Sequence, residues 1–292
     1  MVSKRKKKDI IVHLLESFCK KTRHLMAFSL LAALPMVSAA QVKLAPDTLE
    51  CHMVGFNVGL LTPVTGSSSG PAGGNMSDLY SAPYLDYGLD WAYKYQNGWM
   101  LTLDADLWFG LSSNNLRDRS LRQSHLFNSQ EMVVGWDGTD GEVYAYNRGL
   151  AARPGVAYIA RVLPKNPNSG ILFKLSGGWF MQKTVFSQNY RQTPVPQLNN
   201  LYAKLYDHLR NGVIITESIG FLFMSNYQTY VNFKASIEVS QCFSWSSRPY
   251  QIDNLMGLNG KDNSSYFDLM VGLKLSWIFP FTGKTSYDYY YY

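Results

Sequence analysis

The sequence predicts an all-β protein: an eight-stranded antiparallel up-and-down transmembrane β-barrel with long extracellular loops and short periplasmic turns. The first observation behind this is the segment 267–281, in which every second side chain is apolar while Asp268, Lys274 and Ser276 lie on the opposite face. Successive side chains of a strand point to opposite faces, so one face is apolar over the length of a membrane crossing. The second is that the pattern recurs upstream, and the third is that the connections alternate between long and short.

Composition favours a membrane barrel over a soluble domain. Of 292 residues, 14% are aromatic and only 16% are charged, which is rich in rings and poor in charge for a soluble protein. The formal net charge of +6 comes largely from the first 23 residues, so no nucleic-acid partner is predicted. After removal of a leader containing Cys19, Cys51 and Cys242 remain. They fall near opposite ends of non-neighbouring strands, so we expect two free, inert thiols.

Residues 1–40 have the features of a signal peptide. A basic segment precedes an apolar run from Leu25 to Val37 and the small residues Ser38, Ala39 and Ala40, which predicts cleavage before Gln41. The run is too short to cross a bilayer as a helix. No later stretch is long and apolar enough for a membrane helix, so any embedding would be by a barrel. Residues 41–50 are predicted to be a periplasmic spacer, 51–281 the barrel and 282–292 a periplasmic tail.

The first three strands form the clearest part of the pattern. The first is predicted over 51–61 and is followed by a Gly/Ser-rich loop over 62–81. The second, 85–95, and the third, 99–109, are joined by Gln96-Asn97-Gly98. Asn-Gly is a strong hairpin signal because both residues tolerate positive φ.

The remaining strands alternate with a long loop, a turn and further loops. A polar connection over 111–147 leads to the fourth strand, and the other segments are predicted as follows: strands at 153–162, 171–186, 212–224 and 231–240, a compact turn at 164–170, a long loop at 187–211, a short turn at 225–228 and a loop at 243–265. In the sixth strand Glu217 falls on the apolar face, unless it lies at the rim or a bulge shifts the register.

The rhythm of the connections distinguishes two kinds of barrel. An even strand number with short turns on the side of both chain ends is typical of outer-membrane barrels, whose short turns face the periplasm. A soluble lipocalin-type barrel also has eight strands, but it would bury the apolar face and would carry no aromatic girdles at its rims.

The inward positions carry a balanced set of charges. An eight-stranded barrel is only wide enough inside for side chains to fill it, and buried charges persist only when paired and hydrogen-bonded. We therefore predict a lumen plugged by a polar network, with a gated ion path or an active site as the alternatives. The predicted network consists of Asp86, Asp90, Lys94, Asp104, Asp106, Arg153, Arg161, Lys174, Lys234, Glu238, Asp268 and Lys274.

Two other hypotheses concern enzymatic and metal chemistry. Asp104 and Asp106, with the adjacent Asp207 and His208, resemble the paired acids and the Asp/His pair of omptin proteases, although those have ten strands and one residue between the Asp and the His. His125 has no evident partner. The acidic segment 136–142 hints at a calcium loop but departs from EF-hand spacing. No catalytic residue, metal site or cofactor is predicted.

Two segments resemble a known group. Residues 193–212 and the ending 272–280 are similar to small outer-membrane β-barrel proteins of the Bacteroidota, of the PorT-like or OmpA-membrane-domain-like kind. The resemblance implies the outer membrane of a Gram-negative bacterium and a non-enzymatic scaffold or accessory role in a secretion or assembly machine. A rim hydrolase and a narrow pore remain alternatives.

The tail departs from the pattern of that group. It continues beyond the last aromatic strand residue and is rich in tyrosine, which predicts a docking peptide for an envelope protein partner in the periplasm. The tyrosines concerned are Tyr287, Tyr289, Tyr290, Tyr291 and Tyr292.

Overall fold

The computed structural model describes residues 50–69, 83–110, 132–162, 166, 168–188, 194–199, 206–224, 232–247 and 264–281, and the single positions 121, 126 and 128. Its strands are β1 (Cys51–Ser69), β2 (Tyr84–Lys94), β3 (Trp99–Gly110), β4 (Val143–Ala160), β5 (Gly170–Gln188), β6 (Arg210–Met224), β7 (Asn232–Ser246) and β8 (Ser265–Phe281). A one-turn 3-10 helix spans Pro196–Leu198. Across the described ranges, no helix is long and apolar enough to cross a membrane. The predicted signal peptide, the tail with its tyrosines, and His125 lie outside the described residues.

The eight strands close into a single barrel. Each strand pairs antiparallel with the next, and β8 returns to pair with β1. The register is interrupted in β1 between Pro63 and Thr65. The connections 95–98, 161–169 and 225–231 are short, and they lie at the end where the barrel begins and finishes. The predicted fold class is confirmed, and the end with the short turns is the periplasmic end.

The first hairpin turn differs in detail from its prediction. Gly98 has φ 89, whereas Asn97 does not adopt a positive φ. Instead the side chain of Asn97 accepts a hydrogen bond from the backbone N–H of Trp99 at 3.1 Å. Asn97 therefore stabilises the turn through its side chain and leaves the left-handed conformation to glycine.

Several strands are longer than the alternation predicted. β1 continues through the predicted loop to Ser69, β4 begins at Val143, and β7 ends at Ser246. β4 and β5 have 18 and 19 residues, which corresponds to roughly 60 Å of strand. With a tilt of about 40°, they extend well beyond an apolar band of about 25 Å. The extensions of β1 and β4 were missed because the alternation of apolar and polar side chains is weaker there than in the predicted segments.

The barrel is apolar outside and polar inside. Leu273 and Leu275 are 60% and 66% exposed, whereas Asp106 and Asp268 are completely buried. Such an exterior is stable only in lipid, where a closed barrel satisfies every backbone group. Closed barrels with this arrangement span the outer membrane of Gram-negative bacteria, and this places the chain there.

Aromatic side chains border the apolar belt at both ends. At the periplasmic end, Trp99 contacts Tyr158 with ring centroids 5.2 Å apart. At the outer end Phe243 contacts Phe267 at 5.0 Å. Such girdles are expected where a barrel meets the two membrane interfaces. The periplasmic girdle comprises Tyr93, Tyr95, Trp99, Tyr158, Phe223, Phe233, Trp277 and Phe279, and the outer girdle comprises Phe109, Phe243, Trp245 and Phe267.

Candidate functional site

The structure places eleven of the twelve predicted lumen residues in the barrel interior, all buried. Arg161 is the exception. β4 ends at Ala160, and Arg161 is only partly buried; its guanidinium donates to the carbonyl oxygen of Gln96 at 2.7 Å. Arg161 therefore belongs to the periplasmic turns, and its prediction as a lumen residue is corrected.

Asp106 lies at the centre of the polar interior. The alternation of β3 turns Asp104 and Asp106 inward, and both are almost completely buried. One carboxylate oxygen of Asp106 accepts from Lys274 Nζ at 2.9 Å and the other accepts from Arg153 Nη2. Both oxygens of this carboxylate are therefore held by charge-assisted hydrogen bonds, which are stronger than hydrogen bonds between neutral groups.

Lys274 and Arg153 extend these contacts to further acids. Lys274 Nζ lies 2.8 Å from Asp86 Oδ2 and 3.6 Å from Glu238 Oε2. Arg153 Nη1 lies 3.6 Å from the same Glu238 oxygen. It also donates to Thr216 Oγ1 at 2.8 Å. The contacts therefore join β2, β3, β4, β6, β7 and β8 across the lumen.

Asp90 organises the neighbouring contacts. Its carboxylate accepts from Lys234 and from Ser276 Oγ at 2.9 Å, and its other oxygen accepts from Asn57 Nδ2 at 2.7 Å. Lys174 pairs with Asp104. The name ionic layer is used below for the paired charges at this level of the lumen, namely Asp86, Asp90, Asp104, Asp106, Arg153, Lys174, Lys234, Glu238 and Lys274.

The ionic layer contains five acids and four bases. With every group ionised it carries one net negative charge. Removing ions from water is expensive, and their attraction repays this only with good geometry and further hydrogen bonds. The layer is therefore a rigid cross-link whose stability depends on keeping each cation.

Lys94 and Asp268 are buried in the lumen but lie beyond the ionic layer. Lys94 is near the periplasmic end, where its ammonium donates to Asn168 Oδ1 at 2.9 Å. Asp268 lies toward the outer end, paired in register with Cys242. The predicted network is thus distributed over at least three levels of the barrel.

Apolar side chains close the lumen on both sides of the ionic layer. On the outer side, Trp108 packs on Phe180 with ring centroids 5.9 Å apart. The outer apolar layer consists of Leu61, Tyr84, Trp108, Ala151, Phe180, Ile214, Cys242 and Met270, and the periplasmic apolar layer consists of Cys51, Met53, Ala92, Met100, Ala157, Ile159, Leu172, Leu222, Met224 and Ile278.

A small cavity separates the periplasmic apolar layer from the ionic layer. Its volume is about 20 Å³, and its lining includes Met100, Thr102, Asp104 and Lys174. A space of this size holds about one water molecule. Among the described residues, Thr102 Oγ1 and Asp104 Oδ1 are buried without a hydrogen-bond partner, and both residues line this space. The cavity is too small for a substrate.

The residues of the protease hypothesis lie apart. Asp104 and Asp106 are held by lysine and arginine in the ionic layer. His208 precedes β6, and six residues separate the start of that strand at Arg210 from Thr216, which contacts the layer. At about 3.3 Å per residue, this is roughly 20 Å along the strand. A base must lie within hydrogen-bond reach of its partner, so the geometry does not bring these groups together.

The acidic segment 136–142 forms an outer hairpin whose carboxylates accept hydrogen bonds within the hairpin. Asp137 accepts from the backbone N–H and the hydroxyl of Thr139, at 3.0 and 2.7 Å, and Asp140 accepts from the N–H of Val133 at 3.2 Å. Within the described ranges, no three His, Cys, Asp or Glu side chains are grouped to hold a metal ion.

Parts of two outer loops pack together above the barrel. Val133, Val143 and Val195 are buried against one another with Leu121 and Leu198. The N–H of Trp136 donates to the carbonyl oxygen of Pro194 at 2.9 Å. The indole itself is 81% exposed. We call this unit, comprising residues 132–143 and 194–198, the outer cap.

Comparison with known proteins finds no matching family model and no similar curated protein. Among solved structures, Ail of Yersinia pestis in complex with sucrose octasulfate is similar at 10% identity and a TM-score of 0.32, over 79% of this chain and 97% of that chain. Neisserial surface protein A gives 11% and 0.29, over 76% and 95%. The hydrocarbon channel TodX, as a deltaS2 mutant, gives 7% and 0.24, over 83% and 93%.

The two apolar layers are the part of the lumen that sequence reasoning missed. The alternation turns Trp108, Phe180, Leu222 and Met270 inward, but the predicted network contains charged residues alone. The available signal was the change along several inward faces, from apolar to polar or charged and back to apolar. In β8 this face is Met270, Gly272, Lys274, Ser276 and Ile278.

Proposed function

We propose that this protein is a non-enzymatic scaffold or accessory subunit of an envelope machine for secretion or assembly, of the kind found in the Bacteroidota. The observation that carries the proposal is the lumen, in which an ionic layer lies between two apolar layers. A barrel closed in this way offers its surfaces for function instead of its interior. The loops, the lipid-facing wall and the tail then remain as sites for partners.

The outer cap supports a role in binding. A buried cluster holds its backbone in place, so presenting Trp136 to a partner requires little ordering of the chain. Exposed tryptophans on rigid supports are common anchors of protein interfaces. The Tyr-rich tail is proposed as a second contact, on the periplasmic side.

The alternatives are less well supported. A narrow pore would need water to pass Phe180 and Leu222, which are completely buried in the two apolar layers. A rim hydrolase would need a base close to its acids, and the separation of His208 from the ionic layer opposes this. No observation favours a catalytic role over a binding role.

Planar-bilayer recording tests the closed lumen. The full-length protein is expected to give no steady open-channel steps. The double variant Phe180→Ala with Trp108→Ala opens the outer apolar layer but leaves the ionic layer intact, so it should also remain closed. Steady conductance of the unaltered protein would refute the sealed-lumen basis of the proposal.

Co-purification tests the scaffold role. A tag inserted within residues 111–120 allows purification in mild detergent, and three chains are compared: the intact chain, a chain truncated after Phe281, and Trp136→Ala. We expect a specific companion with the intact chain and its loss from one of the two variants. If correctly assembled barrels of all three chains purify without a companion, or with the same companions, the proposed contacts are wrong.

A further inference from the structure

Glu217 lies on the lipid-facing side of the barrel. A bulge that would turn it inward is absent, because the register of β6 with both neighbours is continuous from Arg210 to the periplasmic end of the pairing. Its register partners are Leu175 on β5 and Val239 on β7. The carboxyl therefore lies among apolar side chains on the outer wall and is only partly exposed.

Glu217 also lies near the middle of the apolar belt. It is six residues from Phe223 in the periplasmic girdle and four from Val213, the register partner of Phe243 in the outer girdle. These separations correspond to roughly 20 Å of strand toward the periplasmic girdle and roughly 13 Å toward the outer girdle. Because the strands are tilted and the apolar band is about 25 Å thick, the side chain is too deep for a short Glu to reach either interface easily.

A second polar side chain lies beside it. Gln241 is the next outward residue after Val239 on β7, so it is a diagonal neighbour of Glu217 across the β6–β7 pair. Within the described strands, neither side chain makes a hydrogen bond or an ion pair. Between the two girdles, no other described residue that faces outward carries a carboxyl or a carboxamide.

The outer surface of the barrel has a position without a side chain beside this pair. Gly177 faces outward on β5, opposite Ile215. A Cβ added there would meet only the carbonyl oxygen of Ile214 at 3.8 Å, so the position is open. Small residues of this kind let two membrane surfaces approach closely. We call Gly177, Glu217 and Gln241 together the polar notch.

We propose that the polar notch is the contact surface of a homodimer in the membrane. Polar groups facing lipid are costly and usually find partners in another protein surface. A two-fold axis along the bilayer normal keeps every residue at its own depth, so a second copy presents the same two polar groups at the same two levels. A neutral carboxyl and a carboxamide each donate and accept, so Glu217 and Gln241 can bond to their counterparts in either combination.

Subunit counting in lipid tests the proposal. The full-length protein is labelled on an outer loop, reconstituted in phospholipid vesicles over a range of protein-to-lipid ratios, and counted by single-molecule photobleaching. We expect a dimer whose association constant falls about tenfold in Glu217→Leu, since membrane hydrogen bonds contribute on the order of 1–2 kcal/mol. Glu217→Gln keeps a donor and an acceptor and should retain the dimer. Leu103→Ala, on the lipid-facing side of β3, is the matched control and should also retain it.

Cross-linking gives a second readout that does not depend on affinity. Ile215 is the register partner of both Gly177 and Gln241, so Ile215→Cys lies beside the notch, whereas Leu103→Cys lies on β3. We expect oxidation to link two copies through the first and not the second. Glu217→Leu removes a polar group from lipid, so the monomer should still fold, as checked by its heat-modifiable gel mobility. A protein that is monomeric at all ratios, equal dimerisation of Glu217→Leu, or cross-linking of Ile215→Cys only to a different protein would overturn the proposal. None of these results bears on the lumen or the outer cap.

Discussion

The charge balance of the ionic layer makes an asymmetric prediction for the variants Lys274→Met and Asp86→Asn. Lys274 contacts Asp86, Asp106 and Glu238 at 2.8, 2.9 and 3.6 Å. Its replacement leaves five acids facing three cations, with Arg153 as the remaining partner of two of these acids. Breaking a buried ion pair from one side costs about 3–5 kcal/mol, and we expect Lys274→Met to lower the free energy of unfolding by that amount.

Asp86→Asn should cost much less. The amide keeps the shape of the carboxyl, the layer becomes neutral with four acids and four bases, and Lys274 retains its two other carboxylates. The loss is then close to that of one hydrogen bond to a charged group, about 1.5–3 kcal/mol. Removing a base is therefore expected to be more damaging than removing an acid, although both changes break the same contact.

Equilibrium unfolding in guanidinium measures the difference. The barrels are refolded into phospholipid vesicles and followed by the fluorescence of the tryptophans, of which the chain has seven. Lys183→Met makes the same chemical change at an exposed position of β5, and it should stay within about 0.5 kcal/mol of the unaltered protein. If Asp86→Asn destabilises the barrel as much as Lys274→Met, the layer does not depend on charge balance and the reasoning is wrong.

Three further outcomes follow from packing and burial. Gly178→Ala should lower the free energy of unfolding by about 1–3 kcal/mol, because its Cβ would lie 2.0 Å from a backbone oxygen of β4. Gly177→Ala should be nearly neutral in the same unfolding experiment, because no heavy atom lies closer than 3.8 Å to its Cβ. Val195→Asp puts a charge into the cluster of the outer cap, so added protease should cut the outer loops of intact cells faster while the strands stay protected; unchanged cleavage would contradict the packing. Cys51 and Cys242 are free and buried, so in a chain that begins at Gln41 maleimide should label the unfolded protein but not the folded barrel. Labelling of that folded barrel would show that the lumen is open.

The alternation of side chains predicted the two faces of each strand well. Even Glu217, which looked misplaced, lies on the face that strict alternation assigns to it, because a continuous ladder leaves no freedom to turn a single side chain around. Strand ends were predicted less well. β1 reaches Ser69 and β4 begins at Val143, since backbone pairing continues above the membrane after the apolar face has ended.

The pairing of charges could not be predicted from the sequence. Lys274 and Asp106 are 168 residues apart, and Lys234 and Asp90 are 144 apart. Their contact depends on the stagger of all the strands between them around the barrel. Arg161 shows the converse error: it has the residue type of a lumen charge but lies just beyond the end of β4.

The cross-links inside the barrel also constrain its biogenesis. Lys274, on the last strand, neutralises Asp86 on the second, so an incomplete sheet that entered the bilayer would carry uncompensated ions into hydrocarbon. Insertion must therefore coincide with the arrival of the final strand. The slow step of assembly should be the pairing of β8 with β1. Substitutions that disrupt β8 are expected to leave an unfolded precursor bound at the membrane surface.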